Sequence, residues 1–360
     1  MPSIAPDMTV IQPYTGAWSG AVREFNSRLR AGGCDEFAFP EQPEAGRQEF
    51  LVLDNGCVRG GYILRAQDFS FGGRIRQVAH YRLPLSEGAI DRAYVGVGAL
   101  MLRHALSQQP LLFALGMGGV DRPLPRMLQA MGWTLRPVGF YFKVLSPARF
   151  LRNIRLLRKT AVRRTIADVA AWSGAGWLGL QALQLARGGA GDAPATTEAF
   201  RNFGTWADEL WDRCHSRYAA IGVRSSGPLN KLYADDERFL RWRVVRQGTV
   251  IGWAVALDTA MQDDKHFGNL RLGSIVDVLA LPEDAPAVMA AAARELEQRG
   301  VDLIVSNQCH KAWADALRRA GFLEGPSNFI FAAAAKLAAL SSAFDEFHVN
   351  RGDGDGPIHL

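Results

Sequence analysis

The sequence predicts a mixed α/β chain built from two copies of one domain, each a sheet with helices on its faces. Three observations lead there. An internal repeat runs through the chain: Ala130-Met131-Gly132-Trp133 matches Arg319-Ala320-Gly321-Phe322 at an offset of 189, and the same offset lays Phe113–Gly119 on Asp302–Gln308 and Phe140-Tyr141-Phe142 on Phe329-Ile330-Phe331. Near offset 192, Leu53-Asp54-Asn55-Gly56 falls on Val245-Arg246-Gln247-Gly248 and Gly60 on Gly252. A repeat of this length is a duplicated domain rather than a solenoid unit. Within each copy the apolar pattern reads strand, strand, strand, helix, strand, helix, strand, which makes a mixed sheet covered by helices. The length of 360 residues, 48% hydrophobic and 21% charged, suits two globular cores.

Each copy opens with a hairpin. Phe50–Leu53 and Tyr62–Leu64 flank Asn55-Gly56, a pair that supplies the positive φ of a tight reversal. Trp242–Val245 and Ile251–Leu257 flank Gln247-Gly248 in the second copy. A third strand follows, Gln77–Leu83 or Ser274–Leu281, and each is expected to end at a proline, Pro84 or Pro282. Helices are expected over Gly98–Gln108 and Ala287–Arg299, then a buried strand and a second helix. In that last helix Trp313, Ala316, Leu317 and Ala320 form one apolar stripe. Gly321 then takes the left-handed position beyond the helix and Phe322 folds back, as Gly132 and Trp133 do in the first copy. An aromatic strand closes each copy.

This order, with Gly-Trp or Gly-Phe closing the last helix, resembles the GNAT superfamily of acyl-CoA-dependent N-acyltransferases over roughly residues 20–145 and 205–335. The tandem arrangement is similar to Fem-type aminoacyltransferases. The resemblance implies that the coenzyme A pyrophosphate sits on backbone amides at the start of the first long helix, in a loop written [Gln/Arg]-x-x-Gly-x-[Gly/Ala]. A helix N-terminus attracts anions through free N–H groups and its dipole. Here Ala93-Tyr94-Val95-Gly96-Val97-Gly98 keeps both glycines but has Ala93 at the first position, with Arg92 one residue early. Val95, Gly96, Val97, Gly98 and Ala99 are the expected cofactor-binding residues; tight helix packing is the alternative reading of the glycines. The second copy has Ala285-Pro286-Ala287 there, and proline has no N–H to donate, so its cofactor loop is expected to be degenerate.

Acyl transfer to an amine needs a base and donors at the developing oxyanion. The first copy offers His80 and Tyr81 on the third strand and Glu87 after it; His80 could serve as a base near neutral pH, and Tyr141 could protonate the leaving thiolate. The second copy offers Asp277, a carboxylate inside an apolar strand that is costly to bury unless paired. Asn307, Cys309 and His310 follow the next strand, where the resemblance turns side chains towards substrate. Each has a bland reading: a histidine on a strand face, a core tyrosine, a turn-forming asparagine, an inert thiol. No histidine or cysteine spacing suggests a metal, and no P-loop, nucleophile elbow or dinucleotide fingerprint is present.

The four cysteines show no paired spacing, as expected of free thiols in a reducing compartment. Neither a signal peptide nor a transmembrane span is expected. A net charge of +5 favours an anionic partner without naming it. The expected organisation is a cofactor-binding domain at 1–145, a basic helical connector at 146–204, a second domain at 205–335 and a C-terminal tail at 336–360, whose ending Arg351–Pro357 reads as a mobile polar segment that a strand over Phe344–Val349 could anchor. On the connector Arg149, Arg152, Arg155, Lys159 and Arg163 share one helical side, opposite Phe150, Ile154, Leu157 and Ala161. A basic amphipathic helix of this kind is expected at an anionic membrane surface, or else as a brace between domains. The expected function is a cytoplasmic N-acyltransferase, peripheral to the membrane, moving an acyl group from acetyl-CoA or another acyl-CoA to a small-molecule amine such as an amino sugar or envelope precursor. The alternatives are an aminoacyl-tRNA-dependent ligase, the case in which nucleic acid would be a partner, and a silent membrane-associated binding module.

Overall fold

A computed structural model describes residues 9–354 apart from 35, 45–46, 154–194, 235, 265–266 and 342. The chain divides into two compact units: Met1–Asp68, Arg76–Leu135 and Ile330–Ser342 form the first, and Phe69–Ile75, Arg136–Phe329 and Ala343–Leu360 the second.

In the first unit β1 (Val10–Pro13), β2 (Gln48–Asp54), β3 (Cys57–Phe71), β4 (Arg74–Ser86), β5 (Leu112–Gly116) and β6 (Thr134–Pro137) are joined by the late strand β15 (Ile330–Ala333), in the order β1-β2-β3-β4-β5-β15-β6. Asn55 and Gly56 take the expected positive φ of 50° and 76° in the β2–β3 turn. The Val97–Gln108 and Pro123–Ala130 helices bury Val97, Met101, Leu102, Ala105 and Leu128 against Tyr62, Leu64 and Tyr81 on one face of the sheet. The Ser19–Ala31 helix buries Val22, Phe25 and Leu29 against Leu51 and Ile63 on the other.

The second unit orders its sheet β14-β7-β13-β12-β11-β10-β8, from β7 (Gly139–Val144), β8 (Thr196–Ala199), β10 (Leu240–Arg246), β11 (Thr249–Ala260), β12 (Arg271–Ala280), β13 (Leu303–Gln308) and β14 (Leu323–Gly325). The Thr205–Cys214, Ala285–Gln298 and Lys311–Arg319 helices pack their apolar sides on it, around Trp253, Val278 and Trp313. Gln247 and Gly248 form the second left-handed hairpin turn, at φ 51° and 76°. Both helix-closing motifs are present: Trp133 N–H donates to Leu128 O and Phe322 N–H to Leu317 O, with Gly132 and Gly321 at φ 81° and 83°.

One packing device occurs in both units. A Cβ on Gly60 of β3 would lie 2.8 Å from Val97 Cγ1, and one on Gly252 of β11 would lie 2.4 Å from Val288 Cγ2. In each unit a strand glycine lets the long helix settle onto the sheet.

Four expectations need correction. The aromatic strands change units: β7, read as the end of the first copy, pairs with β13 and β14 in the second unit, while β15, read as the end of the second, pairs with β5 in the first. Apolar alternation states which face a strand buries but not which neighbour it pairs with. Strand β4 runs through Pro84 to Ser86 rather than stopping at Leu83; a residue without N–H is tolerated where a strand has a neighbour on one side only. Pro286 sits inside the first turn of the Ala285–Gln298 helix, where its missing donor is no loss. Finally, the described part of the Arg351–Pro357 ending is not a mobile tail: Gly352 and Asp353 are buried, and Phe347–His348 forms β16 against β9 (Ala220–Gly222) within the span expected to anchor it. Of the connector expected at 146–204 the Pro147–Asn153 helix and residues 195–204 are described, and the latter supply β8, which pairs with β10 in the second sheet. Phe150 stacks on Phe142 with ring centroids 6.2 Å apart, and Arg149 reaches Asp302 at 3.4 Å. Arg155, Lys159, Arg163 and the apolar run after them lie outside the described residues.

Candidate functional site

Each unit contains a pair of parallel strands that starts together and then separates. In the first, β4 and β5 pair only at Ala79–Leu112 and His80–Phe113. Beyond that fork the rest of β4, Arg82 to Ser86, is half-exposed throughout. Leu83 has φ 44°, the left-handed region that a leucine seldom adopts, so the pleat breaks just past the fork. Backbone strain of this kind gathers at functional sites and persists only where surrounding structure holds it.

Beside this wedge, on the face carrying the long helix, lies the start of the Val97–Gln108 helix. Leu100 N–H closes an i−4 bond onto Gly96 O and the Val95 amide is taken by Arg92 O at 3.3 Å, so among the described residues the amides of Gly96 to Ala99, and not that of Val95, are the unclaimed donors of this helix start. Val95 is 74% exposed and a Cβ built on Gly96 would meet no atom within 4 Å, which leaves this N-terminus open to an anion. Gly98 is different, because its Cβ would lie 3.2 Å from Met127 Sδ. That glycine serves helix packing, the alternative role the sequence allows it. The approach is braced from behind: Glu87 accepts from Arg28 Nε at 2.6 Å and Arg59 Nη1 at 2.8 Å, while the Arg59 guanidinium lies 4.4 Å from the Tyr94 ring centroid. Glu87 is therefore a structural tie.

His80 sits at the fork itself. Side chains alternate along a strand; Ala79 and Tyr81 belong to the core under the long helix, so His80 and Arg82 point to the opposite face, with Ile63 and hence Arg65 and Gln67. His80 is buried, stacks on Phe113 at 4.8 Å, and its Nδ1 has no hydrogen-bond partner. Burial foremost, then the charges of Arg65 and Arg82, hold its pKa well below the usual histidine value, so the ring is neutral at physiological pH. Glu49 of β2 shares that face; both its carboxyl oxygens are buried without a partner among the described residues, and burial above all raises its pKa. The Tyr81 hydroxyl on the other face is likewise buried and unpartnered.

The second unit fills the equivalent wedge with its own chain. Strands β12 and β13 pair from Leu272–Leu303 to Ile275–Ser306 and then part, yet Leu272 to Ala280 are all buried. The filling is the segment after β16. Asp277 accepts from Arg224 Nε at 2.9 Å, Tyr233 Oη at 2.8 Å, Asn350 Nδ2 at 2.7 Å and the Val278 amide at 2.9 Å. Arg224 Nη2 also donates to Asp353 Oδ2 at 2.9 Å. Burial lowers the Arg224 pKa, but Asp277 and Asp353 outweigh it and the net shift is upward; burial above all raises that of Asp353. Gly352 is so close that a Cβ there would meet Tyr233 Oη at 2.5 Å and Asp277 Oδ2 at 2.7 Å. Rather than facing a cleft, Asp277 is the hub of a saturated buried network.

The remaining candidates of this unit border the same network. Asn307 Oδ1 accepts from Arg351 Nε at 2.9 Å and its Nδ2 donates to Gly139 O at 3.3 Å. His310 caps the Lys311–Arg319 helix, its Nδ1 accepting from the Ala312 amide at 3.1 Å, and burial foremost lowers its pKa to about 4. Tyr141 is buried in β7 with the Arg318 guanidinium 5.6 Å from its ring centroid; burial first, then Glu324, raises its pKa. The Cys309 thiol donates to Phe347 O at 2.7 Å, and burial pushes its pKa far up. At the start of the Ala285–Gln298 helix Ala285 and Ala287 are buried and Glu283 and Asp284 precede them, a setting hostile to phosphate. The structure thus gathers Asp277 and Asn307 around one segment, and in the first unit sets His80 at the fork. Sequence reasoning missed Glu49, Arg224, Tyr233 and Asn350. The only signal was Glu49, a charge at the start of an apolar hairpin strand. Among the described residues no three histidine, cysteine or acidic side chains meet in a way that could hold a metal, and no helix is long and apolar enough to cross a membrane.

No family profile matches the chain, and no curated protein matches it by sequence. Solved structures do align over most of it. A probable N-acyltransferase from Enterococcus faecalis V583 is 10% identical with a TM-score of 0.54, covering 92% of this chain and 73% of its own. Saccharomyces cerevisiae N-myristoyltransferase, with bound myristoyl-CoA and inhibitors, is 10% identical with a TM-score of 0.52, covering 93% and 80%. A GCN5-related N-acetyltransferase from Anabaena variabilis ATCC 29413 is 11% identical with a TM-score of 0.52, covering 90% and 73%. At such identities the likeness shows the fold. The protein is a mixed α/β chain with two mixed sheets, and its fold is like that of these N-acyltransferase structures.

Proposed function

We propose that the protein is an acyl-CoA-dependent N-acyltransferase whose acyl donor binds the first unit. The observation that carries this reading is the contrast between the wedges: half-exposed beyond the fork in the first unit, filled by residues 350–353 in the second. The open helix start at Gly96–Ala99 supports it, since a pyrophosphate needs unclaimed amides and room, and Gly96 leaves room. The neighbours with bound myristoyl-CoA support acyl-CoA as the donor class.

In this reading the amides of Gly96 to Ala99 hold the pyrophosphate. Acyl-CoA supplies the thioester carbonyl and a thiolate leaving group. His80, at the fork, takes the proton that the acceptor amine sheds as the C–N bond forms and the C–S bond breaks. Its Nδ1 is unpartnered among the described residues but sealed from water, so the acceptor must part the fork to reach it, and a charge arriving there must offset the burial that lowers the ring's pKa. Its place on the opposite face from the long helix lets donor and acceptor approach the fork from different sides. The second unit, its wedge filled, has a structural or acceptor-shaping role.

Thermal-shift titration with coenzyme A, acetyl-CoA and myristoyl-CoA tests the proposal and ranks the acyl chain. A ligand at 100 times its dissociation constant adds about 2.7 kcal/mol. Absence of any shift with all three would overturn it, and a response to aminoacyl-tRNA instead would move the protein to the Fem type.

A further inference from the structure

Among the described residues of the second unit, Arg351 is a cation whose charge the protein leaves unanswered. It is half-buried at the head of the segment that fills the β12–β13 wedge. Its Nε is fixed by Asn307 Oδ1 at 2.9 Å, and its guanidinium lies 5.9 Å from the Phe329 ring centroid. Among the described residues no acceptor pairs with either Nη atom, and neither is sealed from solvent. The other buried arginine of the segment's network, Arg224, is met by two aspartates. Among the described residues Arg351 has none; burial lowers its pKa to about 10, so it stays a cation at neutral pH.

Half-burying a guanidinium without a counter-charge strips part of its water, and only the two Nη groups keep theirs. The position of Arg351 is not accidental slack: Asn350 and Asp353 on either side are locked to Arg224 and Asp277, and Asn307 is itself oriented by its bond to Gly139 O. The result is a pre-set fork. With Nε taken, the Nη1 and Nη2 pair faces outward, and two parallel N–H donors match the two oxygens of a carboxylate. A phosphate dianion would bring a second charge that no neighbouring cation answers, whereas a monocarboxylate is balanced by Arg351 alone.

We infer that Arg351, held by Asn307 beside Phe329, is a binding site for the carboxylate of a small ligand in the second unit. This goes beyond the acyl-CoA reading and is testable without coenzyme A.

Phenylglyoxal modifies guanidino groups that lack a carboxylate partner, and peptide mapping by mass spectrometry reads each arginine separately. On the full chain without coenzyme A, Arg351 is expected to react faster than Arg224. Acetate at several times its dissociation constant should slow Arg351 modification about threefold or more, while inorganic phosphate at equal ionic strength should not. The thermal shift given by acetate should be present in the wild type and absent in Arg351→Met, which keeps the apolar bulk beside Phe329. Because Arg351→Met also removes the bond to Asn307, the modification assay on wild type stands as the independent measurement. Equal protection by phosphate would overturn the carboxylate assignment, and no protection by either anion would overturn the site.

Discussion

Replacing Gly96 with aspartate separates cofactor binding from folding more cleanly than any other change at the helix start. The Cβ enters open space and the residue has φ −72°, which any amino acid can adopt. An acid at a helix N-terminus is favourable by about 0.3–1 kcal/mol, so the variant should be as stable as the wild type or slightly more so. Its carboxylate would nevertheless stand where a pyrophosphate bound as proposed would sit. At about 5 Å, one unit charge against another costs about 0.8 kcal/mol in water and about 3 kcal/mol at the effective dielectric of a protein surface. A pyrophosphate carries more than one charge, so a loss of about 2–3 kcal/mol is expected, or roughly 30- to 150-fold in affinity.

The assay is a thermal shift with coenzyme A. If wild type is measured at 100 times its dissociation constant it gains about 2.7 kcal/mol, and a 100-fold weaker variant at the same concentration gains only about 0.4 kcal/mol. At about 2–4 °C per kcal/mol for a domain of this size, those are shifts of about 5–10 °C and about 1–2 °C. Gly98→Pro is a poorer probe, because the ring would press on Met127 and confound packing with binding. Pro286→Ala in the second unit should leave the shift unchanged. A Gly96→Asp protein with an undiminished coenzyme A shift would refute the placement of the pyrophosphate at this helix.

Other outcomes follow from the same geometry. Gly252→Ala should destabilise the protein by about 1–3 kcal/mol in urea unfolding, because its Cβ would overlap Val288 and the Leu279 carbonyl, the latter at 2.7 Å; Val288→Ala added to it should recover part of that. Asp277→Asn should cost about 3–5 kcal/mol and release the 350–353 segment to proteolysis, since it strips Arg224 of one partner inside a buried network; a stable variant with lost turnover would make the carboxylate catalytic instead. The buried His80, His310 and His348 all have folded pKa values below the unfolded 6.5, so the unfolded chain binds more protons and their stabilisation, complete above pH 6.5, is lost as pH falls towards the folded values. Each contributes a slope of about 1.4 kcal/mol per pH unit below 6.5; Glu49 and Asp353, shifted upward, run the opposite way, so urea midpoints at pH 7.5, 6 and 5 should fall by less than the three histidines together would give, and His348→Phe should flatten the slope by about one such unit.

Much of the fold was legible because local chemistry dictates it. Asn55-Gly56, Gly132-Trp133 and Gly321-Phe322 each encode a backbone conformation within a few residues, and each is found. Strand exchange was not legible. Phe140–Phe142 and Ile330–Ala333 are apolar enough to sit in either sheet, and pairing is a long-range choice that no local pattern records. For the site, the open helix start at Gly96 could be read from a glycine before an apolar helix, but the duty of Gly98 could not, since Met127 arrives from another helix. Asp277 shows the limit most clearly. A carboxylate in an apolar strand announces that it has partners, but whether these are a substrate or Arg224, Tyr233 and Asn350 depends on segments up to 73 residues away.

The two wedges also bear on the proposed placement of an acyl-CoA in the first unit. Parallel strands that part company leave backbone N–H and C=O groups without a ladder partner, and such groups must find one. The second unit meets that need internally: Gln308 bridges to Asn350, the Asn350 amide donates to Asp353, and the filled gap is dry along all of β12 from Leu272 onward. In the first unit Arg82 to Ser86 keep partial access to water. Such an edge is satisfied by solvent until something extended and amide-bearing lies along it, and the pantetheine arm of coenzyme A is a chain of that kind, with two amides to exchange for the water it displaces. A compact phosphate ester could use the helix start at Gly96 but would leave the wedge wet. Coenzyme A alone should therefore outbind adenosine diphosphate at the first unit. Equal affinity for the two nucleotides in the wild type would mean that the wedge plays no part in holding the donor.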